Sequence, residues 1–378
     1  MSWPQTRFGD LYLIPSRNGL MRPSRVRGEG VKMVNMGELF ANQLIGDIPM
    51  ERVQMNEREL ANSSLAEGDL LFARQSLVLE GAGQCSYIAS LPEPTTFESH
   101  LIRVRLDQTK AIPLFYHYYF RSPYSGMSTI VQQCAQAGIR ASELTELKVG
   151  YPSIEVQKAV VDLLSPYDDM IENNRRRMAL LEESARLLYR EWFVRLRFPG
   201  YEHTTIVDGV PQGWELKTLG GSITLNYGKA LKAEIRVEGD YPVYGSSGIV
   251  GTHEKPLVQG PAVILGRKGN VGSVYWSSKS FYPIDTVYFV SPESSSLYLF
   301  YALKNMHFIS TDVAVPGLNR NFAYSRSLLH PPVTLLRSFH ETVEPIHAQL
   351  DKLDEMNQKL RAARDLLLPR LMSGELAV

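Results

Sequence analysis

YPSIEVQKAVVDLLSPYDDMIENNRRRMALLEESARLLYREWFVRL occupies residues 151–196, and PPVTLLRSFHETVEPIHAQLDKLDEMNQKLRAARDLLLPRLM occupies residues 331–372. In the first stretch Val160, Leu164, Tyr167, Ile171, Asn174, Met178, Leu181, Ala185, Leu188 and Trp192 alternate in steps of four and three. In the second, Phe339, Val343, Ile346, Leu350, Leu353, Asn357, Leu360, Arg364, Leu367 and Leu371 repeat that spacing. A period of about 3.5 residues held this long is the seam of a coiled coil. The two seams lie 179 residues apart, and so do Pro166 and Pro345. A proline inside a helix costs about 3 kcal/mol, whereas one in the first turn costs little. The expectation is therefore a short helix ahead of each proline and a long one starting at it. Ser165 would cap the first long helix, with Asp168 and Asp169 in its first turn. A helix over 166–195 would be about 45 Å long at ~1.5 Å per residue.

A helix this long with one apolar seam needs a partner, and the second copy supplies it. Asn174 and Asn357 fall in the seams, where a polar residue fixes register at some cost in stability, unless each faces water. Arg364 is expected to snorkel out of the seam rather than pair. Arg175, Arg176 and Arg177 fit a solvated helix face. Ahead of each helical segment lies a mixed region with short apolar runs and glycine turns. GDLLFAR (68–74) and SHLIRVRL (99–106) read as strands in the first copy. PAVILG (261–266), GSVYW (272–276) and DTVYFV (285–290) do so in the second. PLFYHYYFRS (113–122) and SLYLFYALKN (296–305) are matched aromatic, amphipathic helices. The fold class is α+β, with an internal duplication of a β-rich module followed by a long helix. The boundaries are 1–152, 153–199, 200–331 and 332–378.

The chain has 378 residues, with 40 basic and 40 acidic side chains. That balance rules out a uniformly basic coat, though not local patches. Residues 217–279 hold eight Lys or Arg against four acids, and residues 1–32 hold six against two. No run of 18 apolar residues appears, so no membrane span is expected. MSWPQTRFGD lacks a basic stretch followed by an apolar one, so no signal peptide is expected. Cys85 and Cys134 are too few for a disulfide framework and fit small hydrophobes in a reducing cytoplasm.

NYGKALK (226–232), YGSSG (244–248) and GRKGNVG (266–272) combine glycines with basic and polar side chains. Arg and Lys can read guanine edges, Asn can read adenine edges, and backbone N–H groups can hold phosphates. The DNA-reading candidates of the second module are Lys229, Tyr244, Ser246, Ser247, Arg267, Lys268, Asn270, Asn319, Arg320 and Asn321. In the first module they are Gln133, Gln136 and Arg140, with Arg74 added by its correspondence to Arg267. Arg267 and Lys268 stay open between base reading, phosphate clamping and plain surface charge. Tyr244 stays open between DNA contact and a buried loop anchor, and Asn319 to Asn321 between DNA contact and loop structure. GRKGNVG lacks the GK[ST] of a phosphate-binding P-loop, and YGSSG lacks the GxSxG nucleophile spacing. His340 and His347 have no third ligand nearby, so no metal site is assigned. No catalytic residue is assigned, and the chain is expected to be non-catalytic.

The segments 154–200, PQGWELKTLG (211–220), YPVYGSSGIVG (241–251), ILGRKGNVG (264–272) and LLLPRLMSGEL (366–376) resemble the specificity subunits of type I restriction–modification systems. The resemblance covers essentially the whole chain. The first module departs most: WPQTRFGDLY (3–12) stands for the usual PxGW opening, and VYGSSGI has no counterpart. The resemblance implies two target-recognition domains, each reading half of a bipartite site in double-stranded DNA. It implies that the long helices pair as an antiparallel coiled coil, setting a spacing on the order of 40–50 Å, roughly 12–14 bp. It implies two modification (methyltransferase) subunits, carrying S-adenosylmethionine, packed on these helices. Tyr167, Ile171, Met178, Leu181, Leu188, Trp192, Ile346, Leu350, Leu353, Leu360 and Leu367 are the subunit-interface candidates. It further implies restriction (motor–nuclease) subunits in the full complex, no cofactor in this chain, and a cytoplasmic setting. A methylation-only defence system would carry the same kind of subunit. A coiled-coil scaffold whose modules bind protein or glycan is the alternative from another class.

Overall fold

The computed structural model describes residues 3–133, 137–308 and 317–376, apart from the side chains of Ser24 and Gln133. The chain forms two compact units, residues 1–172 with 358–378, and residues 173–357. Each unit joins one β-rich module to one half of each long helix.

The first long helix is Ile154–Tyr189 and the second is Val333–Met372, 36 and 40 residues long. Both run straight through the prolines, so neither Pro166 nor Pro345 starts a helix and Ser165 is no cap. The first helix is thus about 54 Å long at ~1.5 Å per residue. The reason lies in where the prolines point. Pro166 and Pro345 sit on the exposed face, and so do Asp162 and Glu341, whose carbonyls lose their helical donor. Water can serve those carbonyls, while the opposite face stays packed.

That packed face is the predicted seam. In the first unit Val160 and Leu164 share one core with Leu368, Leu371 and Met372, so the start of one helix meets the end of the other. In the second unit Ala185 and Tyr189 share a core with Phe339 and Val343, again end against start. The pairing is antiparallel in each. Ile171, Leu350 and Leu353 are buried, and Tyr167, Met178, Leu181, Leu188, Trp192, Ile346, Leu360 and Leu367 are half-buried. The Asn174 amide donates to Asn357 Oδ1 at 2.9 Å in a buried contact. Arg364 does not snorkel. It is 3% exposed and ion-paired with Asp168, which also accepts from Tyr118 Oη at 2.6 Å. Asp168 belongs to the seam rather than to a first turn, and a buried carboxylate there needs a cation opposite it.

The modules share one topology. The first has a sheet in the order Tyr12–Asn18, Leu101–Leu106, Leu70–Ala73, Cys85–Ile88, Leu44–Ile45. The second has Leu225–Tyr227, Val287–Val290, Ala262–Gly266, Val274–Ser277 in the corresponding order. A smaller sheet accompanies each, with Arg27–Val34 parallel to Thr95–Phe97, and Tyr241–Gly245 parallel to Tyr282–Pro283. The strand Arg27–Val34 is thus the first module's counterpart of the YPVYG strand. Sequence comparison misses it because only its backbone role is shared. Helices Pro113–Phe120 and Leu297–Asn305 pack on the larger sheets. They are buried on nearly all sides rather than amphipathic, as expected for helices apolar all round. The first long helix closes in a π turn, Arg190–Val194, which sets Phe193 against Trp214, Tyr298 and Phe339 at ring distances of 5.9, 4.8 and 5.0 Å. Among the described residues, no helix is long and apolar enough to cross a membrane.

Candidate nucleic-acid interface

In the second unit, strand Ala262–Gly266 delivers the chain to Arg267. The Arg267 and Lys268 N–H groups both donate to Thr286 O, at 2.9 and 3.1 Å, and Arg267 O accepts from Leu318 N–H at 2.8 Å. These bonds bring GRKGNVG and GLNRNF onto one surface. The glycines of the first motif shape its turn. A Cβ on Gly266 would lie 2.3 Å from Asn270 O, and Gly269 has φ +78°.

Two cations stand on one ring. The Arg267 guanidinium lies 4.9 Å from the Tyr227 ring centre, and that of Arg320 lies 5.3 Å from it. Arg267 also approaches Tyr288 at 5.7 Å and donates to Asp285 O at 3.2 Å. Burial pushes the Tyr288 hydroxyl pKa up, so it stays protonated and donates to Leu318 O at 3.1 Å. Lys268 Nζ is 4.0 Å from the Asp285 carboxylate. A guanidinium held over an aromatic ring is oriented, and the N–H groups that Arg267 does not spend on Asp285 O are of the kind suited to base edges or phosphates.

The other candidates divide. Ser246 is buried and fastens the loop: its hydroxyl accepts from Asn270 N–H at 3.4 Å, and its carbonyl accepts from Ser273 and Tyr275 hydroxyls at 2.6 and 3.0 Å. Asn319 caps helix Arg320–Tyr324, its Oδ1 accepting from Asn321 N–H at 2.8 Å and Phe322 N–H at 3.3 Å. Tyr244 is buried against Phe281 and Tyr275 and faces the core. Lys229, Ser247, Asn270, Arg320 and Asn321 are exposed. Tyr227 and Asp285 were not among the candidates. Tyr227 stood inside the quoted NYGKALK, but its ring's place between two arginines depends on strand register.

The first unit repeats the frame. Arg74 N–H donates to His100 O at 2.8 Å, and Arg74 O accepts from Ile139 N–H at 2.9 Å, matching the bonds of Arg267. Arg140 precedes helix Ala141–Glu146, where Asn319 precedes its helix, and its N–H donates to the Glu143 carboxylate at 3.2 Å. Gln133 lies in strand Gln132–Gln133. Gln136 and Cys134 lie outside the described residues. Cys85 is buried and free.

The two helix histidines have separate duties. Burial lowers His347 to about 4, so the ring is neutral, and its Nε2 shares a hydrogen bond with Tyr301 Oη at 2.9 Å. His340 Nε2 accepts from Tyr298 N–H at 3.3 Å. Among the described residues, no three metal-ligating side chains cluster.

Residues 30–183 and 211–322 match the type I restriction modification DNA specificity domain, once in each half. The chain is 23% identical over 369 residues to the type I restriction enzyme MjaIX specificity subunit of Methanocaldococcus jannaschii, covering 86% of this chain and 83% of that one. It is 28% identical over 163 residues to the EcoKI specificity subunit of Escherichia coli K12, covering 41% and 35%. The fold is similar to the crystal structure of the type I restriction–modification S subunit from M. genitalium. The TM-score is 0.56 at 17% identity, over 98% of this chain and 96% of that one.

Proposed function

The chain belongs to the type I restriction–modification DNA specificity family, and from that premise we propose that it is the DNA-recognition subunit of such a complex, each module reading one half of a bipartite site. One observation carries the reading. The same strand end, fixed by the same two backbone hydrogen bonds, presents Arg74 in one module and Arg267 in the other. The frame then continues into Gln75, Ser76 and Leu77 in one module and Lys268, Gly269 and Asn270 in the other, and different side chains on one repeated frame are what two unlike half-sites require. The paired helices fix the number of base pairs between the half-sites and carry two methyltransferase subunits on their outer faces. Those subunits bind S-adenosylmethionine and perform base flipping and methyl transfer, and restriction subunits join the complete complex. This chain contributes recognition and no catalytic group, and acts in the cytoplasm.

Methylome sequencing of a host expressing the chain with its cognate methyltransferase subunit tests this. The expected result is one new bipartite motif with N6-methyladenine on both strands. No new motif, with the methyltransferase shown to be active and bound, would refute the reading and favour a protein-binding scaffold.

A further inference from the structure

The duplicated frame permits a position-by-position comparison of the two reading surfaces. Arg74 matches Arg267 by the bonds already given. Glu98 N–H donates to Val34 O at 3.0 Å where Ile284 N–H donates to Tyr244 O at 2.9 Å, which sets Met36 in the place of Ser246. Gln75, Ser76 and Leu77 therefore hold the places of Lys268, Gly269 and Asn270. An uncharged glutamine stands for the lysine and an apolar leucine for Asn270, and the apolar run continues through Val78 and Leu79. Leu77, Val78 and Leu79 are 89%, 60% and 46% exposed, with Phe40 exposed beside them.

Three consecutive exposed aliphatic residues are unusual on a folded surface unless something covers them. The loop is also held in place. Gln75–Ser76 pairs with Ala137–Gly138, and Ser76 Oγ accepts from Val78 N–H at 3.2 Å. Together with helix Met36–Ala41 it forms a recess of about 250 Å³, lined by Met36, Phe40, Gln75, Ser76, Leu77 and His100. An apolar recess with polar groups at its edge cannot read guanine as the arginines of the second unit can. The apolar group that unmodified DNA presents in the major groove is the thymine C5-methyl.

We propose that Leu77, Val78 and Leu79, with Met36 and Phe40, form the reading element of the first module and recognise thymine methyl groups in its half-site. The inference rests on the DNA-reading role proposed above.

The test uses the assembled complex with its methyltransferase subunits and duplexes carrying the motif found in the methylome. Replacing the thymines of one half-site by deoxyuridine removes only their methyl groups. The expected result is a loss of affinity of about tenfold for one half-site and less than twofold for the other. In the Leu77→Ser complex that loss should shrink to less than twofold, because the receptor is gone. A bipartite motif bound equally well with uracil in either half, or without thymine in either half, overturns the assignment while leaving the proposed function intact. A Leu77→Ser chain that loses its methyltransferase subunits, with uracil tolerated in both halves, identifies the loop as a subunit contact and also overturns it. Absence of any bipartite motif refutes the function itself, and the loop assignment with it.

Discussion

Tyr227 holds two guanidinium groups against one ring, and this decides what Arg267 and Arg320 can do. A free arginine on a loop loses rotamer entropy when it docks, whereas a stacked one has already lost part of it. Each exposed cation–π contact is worth ~0.5–1 kcal/mol. Tyr227→Leu should therefore weaken specific DNA binding by the assembled complex about five- to tenfold. Tyr227→Phe should stay within about twofold, because the ring is what matters. Titration of a labelled duplex with the complex measures both, and equal losses in the two variants would point to the hydroxyl instead. Much of this surface was legible in the sequence, since Arg267, Lys268, Asn270 and Arg320 stand in short motifs rich in glycine and asparagine. What hid Tyr227 is that stacking joins Leu225–Tyr227, the end of Ala262–Gly266 and helix Arg320–Tyr324, far apart along the chain. Ser246 and Asn319 carry polar atoms that suit DNA and equally suit the loop fastening and helix capping seen here, so the sequence alone leaves both roles open.

The helices were the most legible elements, because a four–three spacing sustained over ten positions has few alternatives. Their starts were misjudged because local propensity penalises proline without knowing which face it occupies. Arg364 was misjudged because the partner that buries it, Asp168, lies 196 positions away. The asparagine pair gives this scale its prediction. Asn174 donates to Asn357 Oδ1, and the Asn357 amide in turn donates to Met178 Sδ at 3.9 Å. Asn174→Leu alone would strand the buried Asn357 side chain and should destabilise the chain by ~1–3 kcal/mol. Replacing both by leucine removes the polar atoms together and should restore or exceed the original stability, with a looser register. Thermal or urea denaturation of the purified protein orders the three. A single variant as stable as the original would show that the pair is not coupled.

At the scale of the whole molecule, the duplication was visible in the sequence, but the compact units were not. Reading along the chain divides it into four successive segments, whereas burial divides each long helix between two units. The cause is that Val160 and Leu164 share a core with Leu368 and Leu371, while Tyr189 shares one with Phe339. Cohesion follows packed side chains, and the two packed ends of each helix belong to different cores. That organisation has a functional consequence. Each reading surface rests on its own core, so a change at one surface should leave the other's recognition intact, as expected for sites without shared partners. Arg267→Ala removes a cation from the second unit's surface while its strand keeps the backbone bonds to Thr286 and Leu318. The methylome of cells expressing this variant complex should show one half of the motif relaxed at one or more positions. The other half and the number of base pairs between the halves should be unchanged. The relaxation should correspond to about 1–3 kcal/mol of lost discrimination at the affected base pair. Loss of sequence preference in both halves together would mean that the modules recognise DNA as one coupled surface, and a uniform loss of methylation with the motif intact would assign Arg267 to a phosphate.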